Sequence, residues 1–230
     1  MRTKDSPRQS GAATTTRESV KPNLTNARLY GILDLGYVDI ADAEQVTKAM
    51  IEGDVDLIQL RAKRQSLEEI IELAGALHQI TSEAGIPLIV NDHAEVAAKV
   101  PVEGVHLGQD DDSLAHARRK AGRHVLLGKS THSFEQAVAS QREGADYIGF
   151  GPIFVTPTKP DYQPIGLTGI KRVHNEVTIP IFCIGGIKID NLGQLIAAGT
   201  KRVAIVSGLI KAPDIAKYAR ACKALLNPET

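Results

Sequence analysis

Only two cysteines occur in the 230 residues, Cys183 inside an apolar run and Cys222 in a helical pattern. They form neither a disulfide framework nor a metal-ligand spacing, so both read as buried or semi-buried thiols in a reducing compartment. No stretch reaches the roughly 18 to 20 apolar residues of a membrane-spanning helix, and the N-terminus lacks the apolar centre of a secretory signal. Net charge is missing too. The 27 acidic and 27 basic residues balance, so no global field points to nucleic acid or a membrane, and recognition of a charged ligand has to be local. None of the seven histidines stands at a zinc spacing from a cysteine or another histidine. The expectation is a soluble, cytoplasmic protein, with self-association left open.

What the chain does have is 43% apolar residues, enough for one large core. Residues 1–26 stand apart, rich in Thr, Ser, Arg and Gly and poor in large apolar side chains. They are expected to form a disordered tail. A faint likeness to an organelle transit peptide is interrupted by Asp5 and Glu18. Residues 27–230 are the expected catalytic domain. From Leu29 on, short apolar runs alternate with amphipathic segments, the pattern of βα units around a parallel sheet. Strands are expected at 29–33, 57–60, 88–90, 104–107, 125–128, 147–149, 181–184 and 203–206. The clearest helix spans 67–80, with Leu67, Ile70, Ile71, Leu73, Ala74, Leu77 and Ile80 on one stripe. Ser66 stands as its N-cap and Glu69 at the capping-box position.

Eight such pairs in about 200 residues predict an α/β fold of the (β/α)₈ TIM-barrel class. A doubly wound open sheet also alternates, but no G-x-G-x-x-G follows the first strand. In a barrel the chemistry sits at the C-terminal ends of the strands. There, Gln59, Arg61 and Lys63 alternate to one side, an amide and two cations suited to a diphosphate, or else a solvated loop that continues into Arg64. Strand three ends in Asn91-Asp92 and strand four in Gly108-Gln109-Asp110-Asp111. Asp92 and Asp111 read either as ligands of Mg²⁺, which takes one or two carboxylates plus substrate phosphates, or as caps of the next helices. Ser130 and His132 follow strand five, where a histidine serves proton transfer or simply packs. His106, within a strand pattern, reads as structural.

A long loop carrying Thr156, Thr158 and Lys159 follows strand six, and loops of that length are usually functional. Strands seven and eight end in Gly185-Gly186 and Val206-Ser207-Gly208, small residues at the two positions where barrels commonly bind phosphate. No nucleophile–base pair of the Ser-His-Asp type is evident.

The ordered set Gln59-x-Arg61-x-Lys63, Asn91-Asp92, Gly108-Gln109-x-Asp111, Gly128-x-Ser130-x-His132, Gly151-Pro152 through Thr156-x-Thr158-Lys159, and Ile184-Gly185-Gly186-Ile187 resembles the thiamine-phosphate synthase family over about 30–210. The resemblance implies a (β/α)₈ transferase. It would join 4-amino-2-methyl-5-hydroxymethylpyrimidine diphosphate to a thiazole phosphate, or its carboxylate form, giving thiamine phosphate and diphosphate. It places Mg²⁺ on Asp92 and Asp111, and the pyrimidine diphosphate on Gln59, Arg61, Lys63, Asn91 and Lys159. Ser130 falls beside the reacting pyrimidine, and the thiazole phosphate on Thr156, Thr158, Gly186, Val206 and Ser207. Lys159, Ser130, Arg61 and Lys63 are then the catalytic set. The family chemistry is dissociative: diphosphate leaves first and the thiazole nitrogen captures the pyrimidine cation, which calls for charge stabilisation rather than a base. One departure is Leu33-Asp34, where the family often has Thr-Asp. Two rivals are a related thiazole tautomerase using His132, which needs no diphosphate-side groups, and a non-catalytic binder of thiamine precursors.

Overall fold

The computed structural model describes residues 21–158 and 162–227. Eight parallel strands close into a barrel in sequence order: β1 (Leu29–Asp34), β2 (Leu57–Arg61), β3 (Leu88–Asn91), β4 (Gly104–Leu107), β5 (Leu126–Thr131), β6 (Tyr147–Phe150), β7 (Ile181–Ile184) and β8 (Val203–Ile205). Closure comes from the pairing of β1 with β8, Leu29 opposite Val203. Helices α1 (Ala43–Glu52), α2 (Leu67–Glu83), α3 (Leu114–Ala121), α4 (Phe134–Arg142), α5 (Ile170–Glu176), α6 (Ile189–Ala197), α7 (Ser207–Ile210) and α8 (Ile215–Leu226) cover the outside. The expected (β/α)₈ barrel is therefore present, with one irregularity. A single 3₁₀ turn at Val96–Ala98 replaces the helix between β3 and β4, while β8 is followed by two helices.

Period-two alternation divides the core. Outward side chains such as Leu33, Ile58, Val90 and Ile148 pack under the helices, whereas Tyr30, Ile32, Leu57, Ile89, Leu126, Tyr147, Phe182 and Ala204 fill the barrel. Helix α2 starts as the sequence predicts: Ser66 Oγ accepts from Glu69 N–H, and the Glu69 carboxylate accepts from Ser66 N–H at 2.7 Å. Both cysteines are buried free thiols, and burial pushes each up to about 11, so neither is a ready nucleophile. Among the described residues no helix is long and apolar enough to cross a membrane.

Most expected strand ends shift by one residue and α2 runs on to Glu83, but two differences reshape the wall and the core. Strand β5 runs on through Lys129, Ser130 and Thr131, which read as loop because they are polar. Within the barrel wall, Thr131 Oγ1 donates to Gly149 O and Lys129 Nζ to Gly108 O, so their polarity is satisfied without water. Part of the segment expected as tail also packs on the barrel. Residues 1–20 lie outside the described residues, but 21–26 belong to the barrel: Lys21 pairs with Asp146 at 2.7 Å, Arg202 donates to Thr25 O, and Leu24 joins the inner core at 5% exposure. Leu24 thus closes the end opposite the strand C-termini. Leu24→Ala is expected to cost about 2–3 kcal/mol in urea unfolding, the usual loss for a buried leucine, with turnover at 25 °C unchanged. A loss below about 0.5 kcal/mol would show that the segment is not part of the core.

Candidate active site

All eight strands contribute to the wall of a cavity at their C-terminal ends. Gln59, Arg61, Asn91 and Ser130 project into it from β2, β3 and β5. Thr156, Thr158, Gly186, Val206 and Ser207 reach it from the loops after β6, β7 and β8. These nine nominated residues are brought together. Lys63 lines an adjoining cleft with Asp34, Arg61 and Thr158. Lys159 lies outside the described residues.

The cations are held by acids. Asp34 and Arg61 are register partners at the ends of β1 and β2, and Arg61 Nη1 donates to Asp34 Oδ2 at 2.6 Å. The Asp34 side chain is only 3% exposed, so the guanidinium is anchored from behind while the rest of its fork faces the cavity and cleft. Lys63 Nζ bonds Asp92 Oδ2.

Asp92 and Asp111 are not helix caps. The turn after β3 has Glu95 at its N-cap, and α3 is capped by Ser113, whose Oγ accepts from His116 N–H. Asp92 takes a left-handed backbone, φ 66°, which turns the chain sharply after Asn91. Its carboxyl meets that of Asp111, while Asp111 Oδ2 also accepts from Gly108 N–H at 2.6 Å. Burial raises the Asp92 carboxyl, as does its acidic neighbour, against the pull of Lys63. Burial would raise Asp111 as well, but hydrogen bonds from Asp92 and Gly108 and the charges of Lys63 and Lys129 hold it below the usual range. Two carboxyl groups in contact, one raised and one lowered, mark a place where a cation is favourable. Among the described residues no group of three or more His, Cys, Asp or Glu side chains could hold a metal. The donor set therefore fits a hard ion that draws its remaining ligands from water and a phosphate-bearing ligand, as Mg²⁺ does, and does not fit zinc.

At the opposite side, Gly185 and Gly186 have φ 99° and 64°, and a Cβ on Gly186 would stand 2.5 Å from Val155 O. Only glycine permits this close crossing of two loops. Asn191 Nδ2 fixes the turn by donating to Gly186 O at 2.9 Å. Ser207 opens α7, a short extra helix directly after β8, which is the barrel position that commonly receives phosphate. The first loop, left unassigned by the sequence, joins this side: the Tyr37 and Thr158 hydroxyls meet at 3.0 Å.

Two histidines face the cavity. His132 Nδ1 lies 2.5 Å from Gly151 O, and its ring packs at a tilt against Tyr162, with centroids 4.3 Å apart. The ring is thereby tied into the β6 loop. His106 is bonded to Ser130 Oγ and to the Tyr147 hydroxyl. Sequence reasoning gave no role to Asp34 or Tyr37 and did not foresee this histidine's contact with Ser130. Alternation of Tyr30, Ile32 and Asp34 in β1 was the available signal for Asp34.

A closed barrel whose strand ends gather two anchored cations, a carboxylate pair and a glycine-rich turn defines a (β/α)₈-barrel enzyme for an anionic small molecule. The family profile described as thiamine monophosphate synthase matches residues 29–209. The thiamine-phosphate synthase of Chloroflexus aurantiacus is 42% identical over 206 residues, covering 89% of this chain and 95% of the relative. That of Halalkalibacterium halodurans is 41% identical over 189 residues, 82% and 90% of the two chains. Among solved structures, thiamine phosphate pyrophosphorylase from Pyrococcus furiosus superposes with TM-score 0.79 at 30% identity, covering 87% of this chain and 96% of that one. The chain belongs to the thiamine monophosphate synthase family and is a transferase of thiamine biosynthesis.

Proposed function

We propose that this enzyme joins 4-amino-2-methyl-5-hydroxymethylpyrimidine diphosphate to 4-methyl-5-(2-phosphoethyl)thiazole, or its carboxylate form, releasing diphosphate. The observation that carries this reading is the division of the mouth into two anion-binding ends. Arg61, Lys63, Asp92 and Asp111 cluster on one side, and Gly186, Val206 and Ser207 on the other, with Ser130 between them. Such a layout suits a diphosphate and a monophosphate brought to a shared centre.

Asp92 and Asp111 would hold Mg²⁺, which when bound neutralises charge on the diphosphate. Arg61 grips the diphosphate through the part of its fork that Asp34 leaves open, and Lys63 exchanges its Asp92 partner for a phosphate oxygen. Lys159, as the family resemblance implies, would add a third cation to the diphosphate. Gln59, Asn91 and Ser130 orient the pyrimidine, while Thr156, Thr158 and the β7 and β8 turns seat the thiazole phosphate. Stabilising the departing charge lowers the barrier to C–O cleavage, and the aligned thiazole nitrogen then captures the cation without a general base.

Purified protein with Mg²⁺ and both substrates is expected to form thiamine phosphate and one equivalent of diphosphate. Metal-independent isomerisation of a thiazole carboxylate phosphate, with no diphosphate released, would overturn the assignment. Lys159→Ala is expected to lower kcat at least about tenfold with little change in the melting temperature, the signature of lost transition-state charge stabilisation.

A further inference from the structure

The polar groups inside the barrel form one continuous line. Gln59 Nε2 donates to the Tyr30 hydroxyl at 2.6 Å, and the Tyr30 and Tyr147 hydroxyls meet at 3.0 Å. The Tyr147 hydroxyl lies 3.1 Å from His106 Nδ1, and His106 Nε2 lies 3.0 Å from Ser130 Oγ. Five strands supply one member each. Both ends of the line, Gln59 and Ser130, border the cavity.

The surrounding core holds the line in place. Tyr30, Tyr147 and Phe182 pack edge to face, with centroids 5.3 to 5.9 Å apart, which fixes where the two phenol oxygens sit. Gly128 leaves the gap through which Tyr147 reaches His106: a Cβ there would stand 2.2 Å from the Tyr147 ring and 2.5 Å from His106 Nδ1. Burial raises both phenols well above their ordinary range, so each carries one hydrogen.

Direction follows from donor counting. An amide nitrogen only donates, so Tyr30 accepts from Gln59 and passes its own hydrogen to Tyr147. Tyr147 passes its hydrogen to His106 Nδ1. An imidazole that accepts at Nδ1 carries its proton on Nε2, and that N–H donates to Ser130 Oγ. The Ser130 hydrogen is left for the cavity. We propose that Tyr30, Tyr147 and His106 are positioning residues that form a one-way hydrogen-bond relay, holding Ser130 as a hydrogen-bond donor to an acceptor atom of the bound ligand. The proposal rests on the transferase reading only in naming that acceptor, a ring nitrogen of the pyrimidine.

Two measurements test it separately from that reading. In ligand-free protein labelled with ¹⁵N-histidine, the His106 ring, assigned by its disappearance in His106→Gln, is expected as the Nε2–H tautomer. An Nδ1–H tautomer means that the line runs the other way and overturns the proposal, whether or not the protein makes thiamine phosphate. In steady-state kinetics, Tyr147→Phe breaks the line while keeping the ring. It is expected to lower kcat/KM for the pyrimidine diphosphate about tenfold in the otherwise native enzyme and less than twofold in a Ser130→Ala background, because contacts that act through one group are not additive. An equal loss in both backgrounds would make Tyr147 a packing residue and sink the relay.

Discussion

Asp92→Asn is expected to lower kcat at least about tenfold at saturating substrates while leaving the fold intact, the size of effect seen when one charge-stabilising contact is lost. Asparagine is the informative replacement because Asp92 sits at φ 66°, a conformation that asparagine tolerates and alanine adopts only at about 1 kcal/mol or more. The substitution removes a negative charge that burial and Asp111 already disfavour, so thermal stability should hold or rise slightly. Diphosphate release and melting temperature, measured together, separate the two effects. Near-normal turnover would remove Asp92 from the metal site. The raised Asp92 carboxyl adds a second expectation. A metal binds the ionised carboxylates, and the Asp92 proton is held more tightly than usual. Apparent Mg²⁺ affinity in the native enzyme should therefore weaken as pH falls toward the carboxylate range, and more steeply than in Asp92→Asn.

Asp34→Ala is expected to be costly in both stability and activity. Its carboxylate is almost fully enclosed and is Arg61's partner at 2.6 Å, whereas the Arg61 side chain is 18% exposed. Removing one member of a buried pair typically costs 3 to 5 kcal/mol; with Arg61 open to the mouth, about 2–3 kcal/mol is expected. The freed guanidinium also loses its fixed angle to the cleft, so KM for the pyrimidine diphosphate should rise about tenfold or more as a pre-set contact is lost. Removing Arg61 as well, in Asp34→Ala/Arg61→Ala, should recover part of the stability and none of the activity. Unchanged KM in Asp34→Ala would mean that Arg61 needs no anchor.

The strand-end rule explains why so much of the site was readable. Once the apolar runs are counted, period two dictates that Gln59 and Arg61 point inward, and the barrel fold dictates that residues ending successive strands share one mouth. Polar residues inside the wall were harder to place. Lys129 and Thr131 look like loop because their hydrogen-bond partners, Gly108 just beyond β4 and Gly149 in β6, are distant in the chain. Leu24, alone among polar neighbours, carries no periodic signal at all, and only its burial against the far end of the barrel gives it meaning.

The sequence by itself determined the class of fold and the identity of the strand-end groups, because burial periodicity and turn chemistry act over a few residues and are written locally. Only the tertiary structure decided who partners whom. Asp34 and Arg61 are 27 residues apart in the chain, and Tyr30 and Tyr147 are 117 apart. Distance and orientation between such groups are set by barrel closure and by the rings and glycines packed between them, and no local pattern encodes those. The same closure turned two acids that could have capped helices into a pair whose carboxyl groups meet, and a histidine that looked structural into the neighbour of Ser130.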